Sequence, residues 1–217
     1  MDLTDRGVGK TLLIIGIHIE ELRFGERVAE GAKELGIDVL RIEHGLSNDR
    51  FLYSNLFYHD TFLRELYLQT HMQIRGKYSI AIDLHTGFNQ AGCCADVFCK
   101  ETCVLDCLHC VLQNRLIGGS LLLKKVRLLK IVKNVAVRPK LADVSYLRCK
   151  TFIPETVWKG RHYHYVGLEI YLPRPGQESR EDWLFARQLV KCIHECGKKL
   201  KRNKSNEIRG NCQGKPV

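Results

Sequence analysis

The chain has 217 residues, with 34 Lys or Arg, 24 Asp or Glu and 9 His. That length suits one domain with a sizeable core and a cleft. Apolar residues at 45% and charged residues at 27% exclude disorder as the main state, and no apolar run approaches the ~18 residues that a membrane span needs.

Asp2 and Asp5 precede a short apolar run at residues 12–17. The basic start and small-residue cleavage site of a signal peptide are not seen there, so the expectation is a soluble, cytoplasmic protein. The 10 cysteines are then expected as reduced thiols rather than five disulfides. The formal charge of +10 is uneven. Lys198, Lys199, Lys201, Arg202, Lys204, Arg209 and Lys215 against Glu207 give residues 198–217 the look of a basic, flexible tail. Residues 1–197 would form the α/β catalytic-type domain. A second basic block spans residues 124–140. Neither block interleaves aromatic residues, which weighs against nucleic acid as the partner.

In chain order, residues 11–17 form a continuous apolar run and predict a buried strand. Residues 20–35 place Gly25, Val28, Ala32 and Leu35 on one helical stripe, closed by Gly36. Residues 37–42 predict a second strand. Residues 54–74 predict a helix with Phe62, Leu63, Leu66 and Tyr67 together, and residues 78–84 a third strand ended by Gly87. Residues 95–99 read as a strand, 103–117 as a helix, and 126–137 as extended. Residues 165–172 alternate, with Val166, Leu168, Ile170 and Leu172 on one face and Tyr165, Gly167, Glu169 and Tyr171 on the other. A last helix covers residues 180–200, with Phe185, Leu189, Cys192 and Cys196 in a stripe. Alternating strands and helices predict an α/β fold, a mostly parallel mixed sheet with helices on both faces.

Gly7-Val8-Gly9-Lys10-Thr11 resembles the end of a phosphate-binding loop. Such a loop follows a strand and opens a helix, whereas this segment precedes the first strand. The stronger signal is Gly16-Ile17-His18-Ile19-Glu20-Glu21 at the end of that strand. An imidazole and a carboxylate three residues apart across a strand-to-helix turn can reach one Zn²⁺, whose bonds are about 2.0–2.2 Å long. Ile82-Asp83-Leu84-His85-Thr86 adds a third donor at the end of another strand, and ligand sites gather at the carboxyl ends of parallel strands. His18, Glu21 and His85 with an open fourth position make a catalytic zinc set for one ion. Asp83, on the same face as His85, is a candidate to orient it.

Gly16-x-His18-x-x-Glu21 followed by Asp83-Leu84-His85 resembles the zinc carboxypeptidase superfamily, in particular its succinylglutamate desuccinylase and aspartoacylase branch. The resemblance covers residues 11–172 through about a dozen motif positions. It implies a zinc-carboxypeptidase-like fold and His18, Glu21 and His85 as zinc ligands. It also implies a late strand glutamate, here Glu169, as general base. A carboxylate beside the site suits that role on chemical grounds as well. Where the family has Asp-Leu-Asn-Arg, this chain reads Ser47-Asn48-Asp49-Arg50. Arg50, with Arg41 or Asn48, is the candidate for holding a substrate carboxylate, since a guanidinium pairs with carboxylate as a fork.

The expected function is zinc-dependent hydrolysis of an amide bond in a small acylated amino acid or at a peptide C-terminus. The alternatives are a metal-binding protein of this fold without catalysis, and a basic nucleic-acid-binding protein. Cys93, Cys94, Cys99, Cys103, Cys107 and Cys110 cluster, but Cys107-x-x-Cys110 has no second pair to complete a metal site. Cys103, Cys107 and Cys110 are read as small buried residues of one helix stripe. His162 and His164 are read as ordinary strand residues.

Overall fold

The computed structural model describes residues 10–47, 56–89, 94–117, 120–121, 125–133, 146–160, 162–173 and 178–211. The first strand, β1 (Thr11–Ile15), is buried along its whole length. A 3₁₀ turn (Ile19–Glu21) leads into α1 (Leu22–Glu34). β2 (Asp38–Arg41), α2 (Leu56–Ile74) and β3 (Ile80–Phe88) follow. The second half holds β4 (Cys94–Cys99), α3 (Thr102–Gln113), and a small hairpin of β5 (Leu116–Ile117) and β6 (Ser120–Leu121). It continues with β7 (Val126–Ile131), β8 (Leu147–Cys149), α4 (Glu155–Trp158), β9 (His164–Leu172) and α5 (Arg180–Asn211).

Seven strands make one sheet in the order β2-β1-β3-β9-β4-β7-β8. Every neighbouring pair is parallel except β4 with β9. The sheet is therefore two parallel blocks of opposite direction, joined where β9 meets β4. This is the mostly parallel mixed sheet that the strand and helix alternation predicts.

Both faces are covered, as the apolar runs require. Leu13 and Ile15 of β1 pack with Phe24 and Val28 of α1, Leu105 of α3 and Leu189 of α5. Leu12 and Ile14 point the other way, against Tyr67 of α2 and Trp158 of α4. Period-two alternation thus sends adjacent apolar residues into separate layers. Each such side chain contributes about 1.5–3 kcal/mol by leaving water. Gly36, at φ 71°, ends α1. Its N–H bonds the Lys33 carbonyl at 3.0 Å and that of Ile37 bonds the Ala32 carbonyl at 3.1 Å, the double bond of a Schellman cap that needs a left-handed residue.

Several expectations are corrected. β3 runs past Leu84 to Phe88, because its pairing with β9 continues through Phe88 opposite Leu172. The helix expected to reach Ile117 ends at Gln113, and Leu116–Ile117 forms a strand. Phe62 is exposed, because the buried stripe of α2 runs through His59, Tyr67, Thr70, His71 and Ile74 and leaves it on the outer side. Cys103 and Cys110 are exposed. The buried stripe of α3 is Val104, Leu105, Leu108, Val111 and Leu112, since larger aliphatic side chains gain more by burial than thiols. α5 continues helical to Asn211, into the segment expected as a tail. No helix among the described residues is long and apolar enough to cross a membrane.

Cys107 and Cys196 form a disulfide between α3 and α5, with Cα atoms 5.8 Å apart. Most of the described cysteines are thiols, as expected, and Cys107 and Cys196 are the exception. Cys94, Cys99, Cys103, Cys110, Cys149 and Cys192 are free. The bond closes a span of 89 residues, which in a chain-entropy account stabilises by roughly 4.6 kcal/mol. Peptide mapping without reduction should recover one peptide joining Cys107 to Cys196. Cys107→Ser should lower the thermal midpoint, and adding reductant should then have little further effect. Recovery of both cysteines as free thiols from air-purified protein would contradict the assignment.

Candidate metal centre

Gly16 makes the turn that builds the site. Its φ is 83°, and a Cβ there would lie 2.5 Å from the Ile42 carbonyl oxygen, so only glycine fits. The chain after it is pinned to the loop following β2. Leu46 N–H donates to the Ile17 carbonyl and Ile19 N–H to the Leu46 carbonyl, both at 2.9 Å. His18 then caps the 3₁₀ turn in extended conformation, and Glu21 N–H bonds its carbonyl at 3.1 Å. One turn of backbone therefore aims both side chains at the carboxyl end of β3, which brings up His85.

The donor atoms of His18, Glu21 and His85 all lie within 4.8 Å of one another. The two imidazole rings are 5.4 Å apart between centroids, tilted by 56°. His85 Nδ1 is 3.0 Å from Glu21 Oε2. His18 Nδ1 is buried and has no hydrogen-bond partner. Burial lowers the His18 pKa, with Glu21 opposing, and this keeps the ring neutral with a lone pair to offer. A neutral imidazole with an orphaned nitrogen, a second imidazole that can exchange its Nδ1 proton for a metal, and a buried carboxylate fit the donor chemistry of a zinc ion.

The other edge of His85 is held from below. Its Nε2 is 3.1 Å from Asp83 Oδ2 and 3.1 Å from the Tyr67 hydroxyl. Asp83 is fully buried and accepts hydrogen bonds from Tyr67 at 2.9 Å and Tyr165 at 2.6 Å. Burial alone would raise its pKa, but the charge of His85 and these hydrogen bonds outweigh it and hold the carboxyl below its usual range. Burial would lower His85 too; the Asp83 and Glu21 carboxylates overcome it and push the ring well above its usual value. The pocket thus attracts positive charge at Nδ1, while Nε2–H donating to Asp83 fixes the tautomer. Tyr67 and Tyr165 stay protonated, because burial and the neighbouring Asp83 both disfavour phenolate.

Glu169 sits opposite His85 in the register of β3 with β9. A Cβ at Gly87 would lie 2.8 Å from Glu169 Oε1, so the glycine leaves room for the carboxylate. His85 and Glu169 line one cavity of about 200 Å³, walled by Phe98, Ile131, Thr151 and Ile153. Burial raises the Glu169 pKa, with Glu21 and Asp96 adding to the rise and His85 and Arg127 opposing it.

The structure brings His18, Glu21, His85, Asp83 and Glu169 to one end of the sheet. Arg41 lies elsewhere in charge terms. It is exposed, with Glu26 on its Nε at 2.8 Å and Glu43 on its Nη1 at 2.6 Å. Asn48 and Arg50 lie outside the described residues. His164 faces Glu101 at 3.8 Å, and His162 stacks near His71. Tyr67, Tyr165 and Arg127 were not singled out from the sequence. Tyr165 was within reach, because it shares the alternating face of Glu169. Tyr67 comes from a helix whose distance to β3 no local pattern encodes.

No protein-family model and no curated protein matches the chain. Among solved structures it is similar to murine aminoacylase 3, at TM-score 0.47 and 14% identity over 92% of this chain and 67% of that one. It is also similar to an N-acetylmuramoyl-L-alanine amidase of Nostoc punctiforme, at TM-score 0.42 and 11% identity over 89% and 98%. A bacteriophage poly-gamma-glutamate hydrolase gives TM-score 0.42 and 13% identity over 94% and 87%. At these values the likeness is one of chain course, and the chemistry is read from the residues.

Protein dialysed against Zn²⁺ and then against buffer should retain about one equivalent by elemental analysis. His85→Ala should retain almost none. Asp83→Asn should weaken zinc affinity by about 10- to 100-fold, the usual cost of losing a partner behind a ligating histidine. Equal retention by wild type and His85→Ala would remove the metal assignment.

Proposed function

We propose that the protein is a zinc-dependent hydrolase of an amide bond, acting on a small acylated amino acid or a peptide C-terminus. The observation that supports the reading is that Glu169 lies opposite His85 in the register of β3 with β9 and lines one cavity with it. The resemblance of Gly16-x-His18-x-x-Glu21 and Asp83-Leu84-His85 to the desuccinylase and aspartoacylase pattern supports it.

Zinc held by His18, Glu21 and His85 would supply a Lewis acid for the amide carbonyl and lower the pKa of water to about 7. Glu169 accepts the proton of the attacking water and returns it to the leaving nitrogen. Its raised pKa strengthens it as a base, since proton transfer is most effective when the base is poised toward the working pH. Asp83, clamped by Tyr67 and Tyr165, keeps His85 from rotating. The apolar wall of the cavity excludes bulk water from the reacting carbonyl. The substrate carries a carboxylate, which anchors it for attack.

Zinc-loaded protein should be assayed against a panel of N-acyl amino acids and short peptides. Glu169→Gln should lower turnover by about 10²–10⁴-fold with zinc content unchanged. Glu21→Gln should instead lose the metal. Full turnover by Glu169→Gln would remove the general-base role. Zinc retention without turnover of any panel member would favour a metal-binding protein without catalysis.

A further inference from the structure

A second cavity, of about 390 Å³, opens on the same sheet face. Lys125, Arg127 and Tyr171 line it, together with Phe88, Asn89 and Cys94. Its lining among the described residues holds two cations and no carboxylate.

The register ties this cavity to the metal centre. Glu169 lies between His85 on β3 and Asp96 on β4, and Asp96 is opposite Arg127 on β7. Tyr171 stands two residues beyond Glu169, on the same face and about 7 Å further along. It is opposite Cys94, and Lys125 continues that row, since the next residue, Val126, pairs with Ala95. Lys125 and Arg127 lie two strands from Glu169, about 10 Å between backbones, and the fork of Arg127 on Asp96 brings its guanidinium back over β4, toward the row of the base.

Arg127 is aimed rather than consumed. Asp96 is nearly buried and accepts from Arg127 Nε at 2.6 Å and Nη2 at 2.7 Å. The Tyr171 hydroxyl donates to the same carboxylate at 3.0 Å. This fork fixes the guanidinium plane, yet the Arg127 side chain remains 64% exposed. An ion pair this exposed contributes little to stability, so the main effect of the fork is to orient the guanidinium. Asp96 already balances Arg127, so Lys125 contributes one surplus positive charge. That surplus matches a monoanion better than a dianionic phosphate. Arg41, in contrast, has two glutamates on its guanidinium.

We propose that Lys125 and Arg127 form the recognition pocket for the substrate carboxylate. Lys125 supplies the charge, Arg127 supplies an oriented N–H donor, and the scissile amide is left beside Glu169. This rests on the hydrolase reading above, and it assigns substrate selection to β7 rather than to the loop after β2.

The test is binding rather than turnover. N-acetyl-L-alanine and its uncharged primary amide, N-acetyl-L-alaninamide, are titrated calorimetrically into the zinc-loaded full chain, with inorganic phosphate as a third probe. The acid should bind at least about tenfold more tightly than the amide, the scale of one charge-assisted hydrogen bond. Lys125→Met and Arg127→Gln should each abolish that preference. Lys150→Met, which alters a lysine of the smaller cavity, should leave it intact. Lys125 is exposed, so its variant is read even if Arg127→Gln, which strips Asp96 of its partner, unfolds. A preference that survives Lys125→Met, or disappears in Lys150→Met, overturns the proposal, as does tighter binding of phosphate than of the acid. A protein that shows the preference but hydrolyses nothing keeps the pocket and loses the hydrolase. A protein that hydrolyses with no dependence on Lys125 does the reverse.

Discussion

Nine residues of β3 pair in parallel with nine of β9, from Ile80 opposite His164 to Phe88 opposite Leu172. The pairing sits at the middle of the sheet. On one face it aligns Ile82 and Leu84 with Val166 and Leu168, all buried against α1, α3 and α5. On the other it sets Asp83 level with Gly167 and His85 level with Glu169. Gly167 supplies no side chain, so the Tyr165 hydroxyl reaches Asp83. A slip of one residue would exchange the faces, placing Glu169 in the apolar layer and Leu168 at the cavity. The same register that fills the core therefore defines the chemistry.

The site also depends on charges that burial alone would not tolerate. Asp83 and Glu21 are both nearly or fully removed from water. An isolated buried carboxylate costs several kcal/mol. Here each has the His85 ring as a neighbour, and Asp83 has two phenols besides. Removing any one of these groups would leave a charge without its partner, which is more costly than the partner's own bond is favourable. The arrangement is accordingly rigid, and its excess of carboxylate over cation suits a bound metal ion. Glu169 and Asp96 extend the acidic row toward Arg127, where the sign of the surface changes.

That change of sign falls one strand beyond the join of the two blocks, between β4 and β7. β4 runs antiparallel to β9, so the carboxyl ends of β3 and β9 lie beside the amino ends of β4 and β7. Residues that are far apart in the chain, Glu21, His85, Asp96, Arg127 and Glu169, are thereby gathered along one sheet edge. On the opposite face, α5 packs across α1 and α3 and is joined to α3 by Cys107–Cys196. The helical layer so secured leaves the site face free to carry cavities.

Local signals were enough for much of this. The Ile-rich run of β1, the α1 stripe closed by Gly36 and the alternation of β9 are short-range patterns, and each appears where expected. The strand expected to reach Ile17 instead ends at Ile15, where Gly16 turns the chain at positive φ. The donors His18, Glu21 and His85 were legible from the His-x-x-Glu spacing, from their place at the ends of expected strands and from the family resemblance. Other features were decided only by packing. The end of α3 at Gln113, the exposure of Cys103 and Cys110, and the Cys107–Cys196 bond depend on which helix faces which. The clasp of Tyr67 on Asp83 joins a helix to a strand 16 residues away. The pairing of Arg127 with Asp96 spans 31 residues and arises because β7 docks on β4. Periodicity reports which face a residue takes within its own element; which elements become neighbours is settled by burying all of those faces at once.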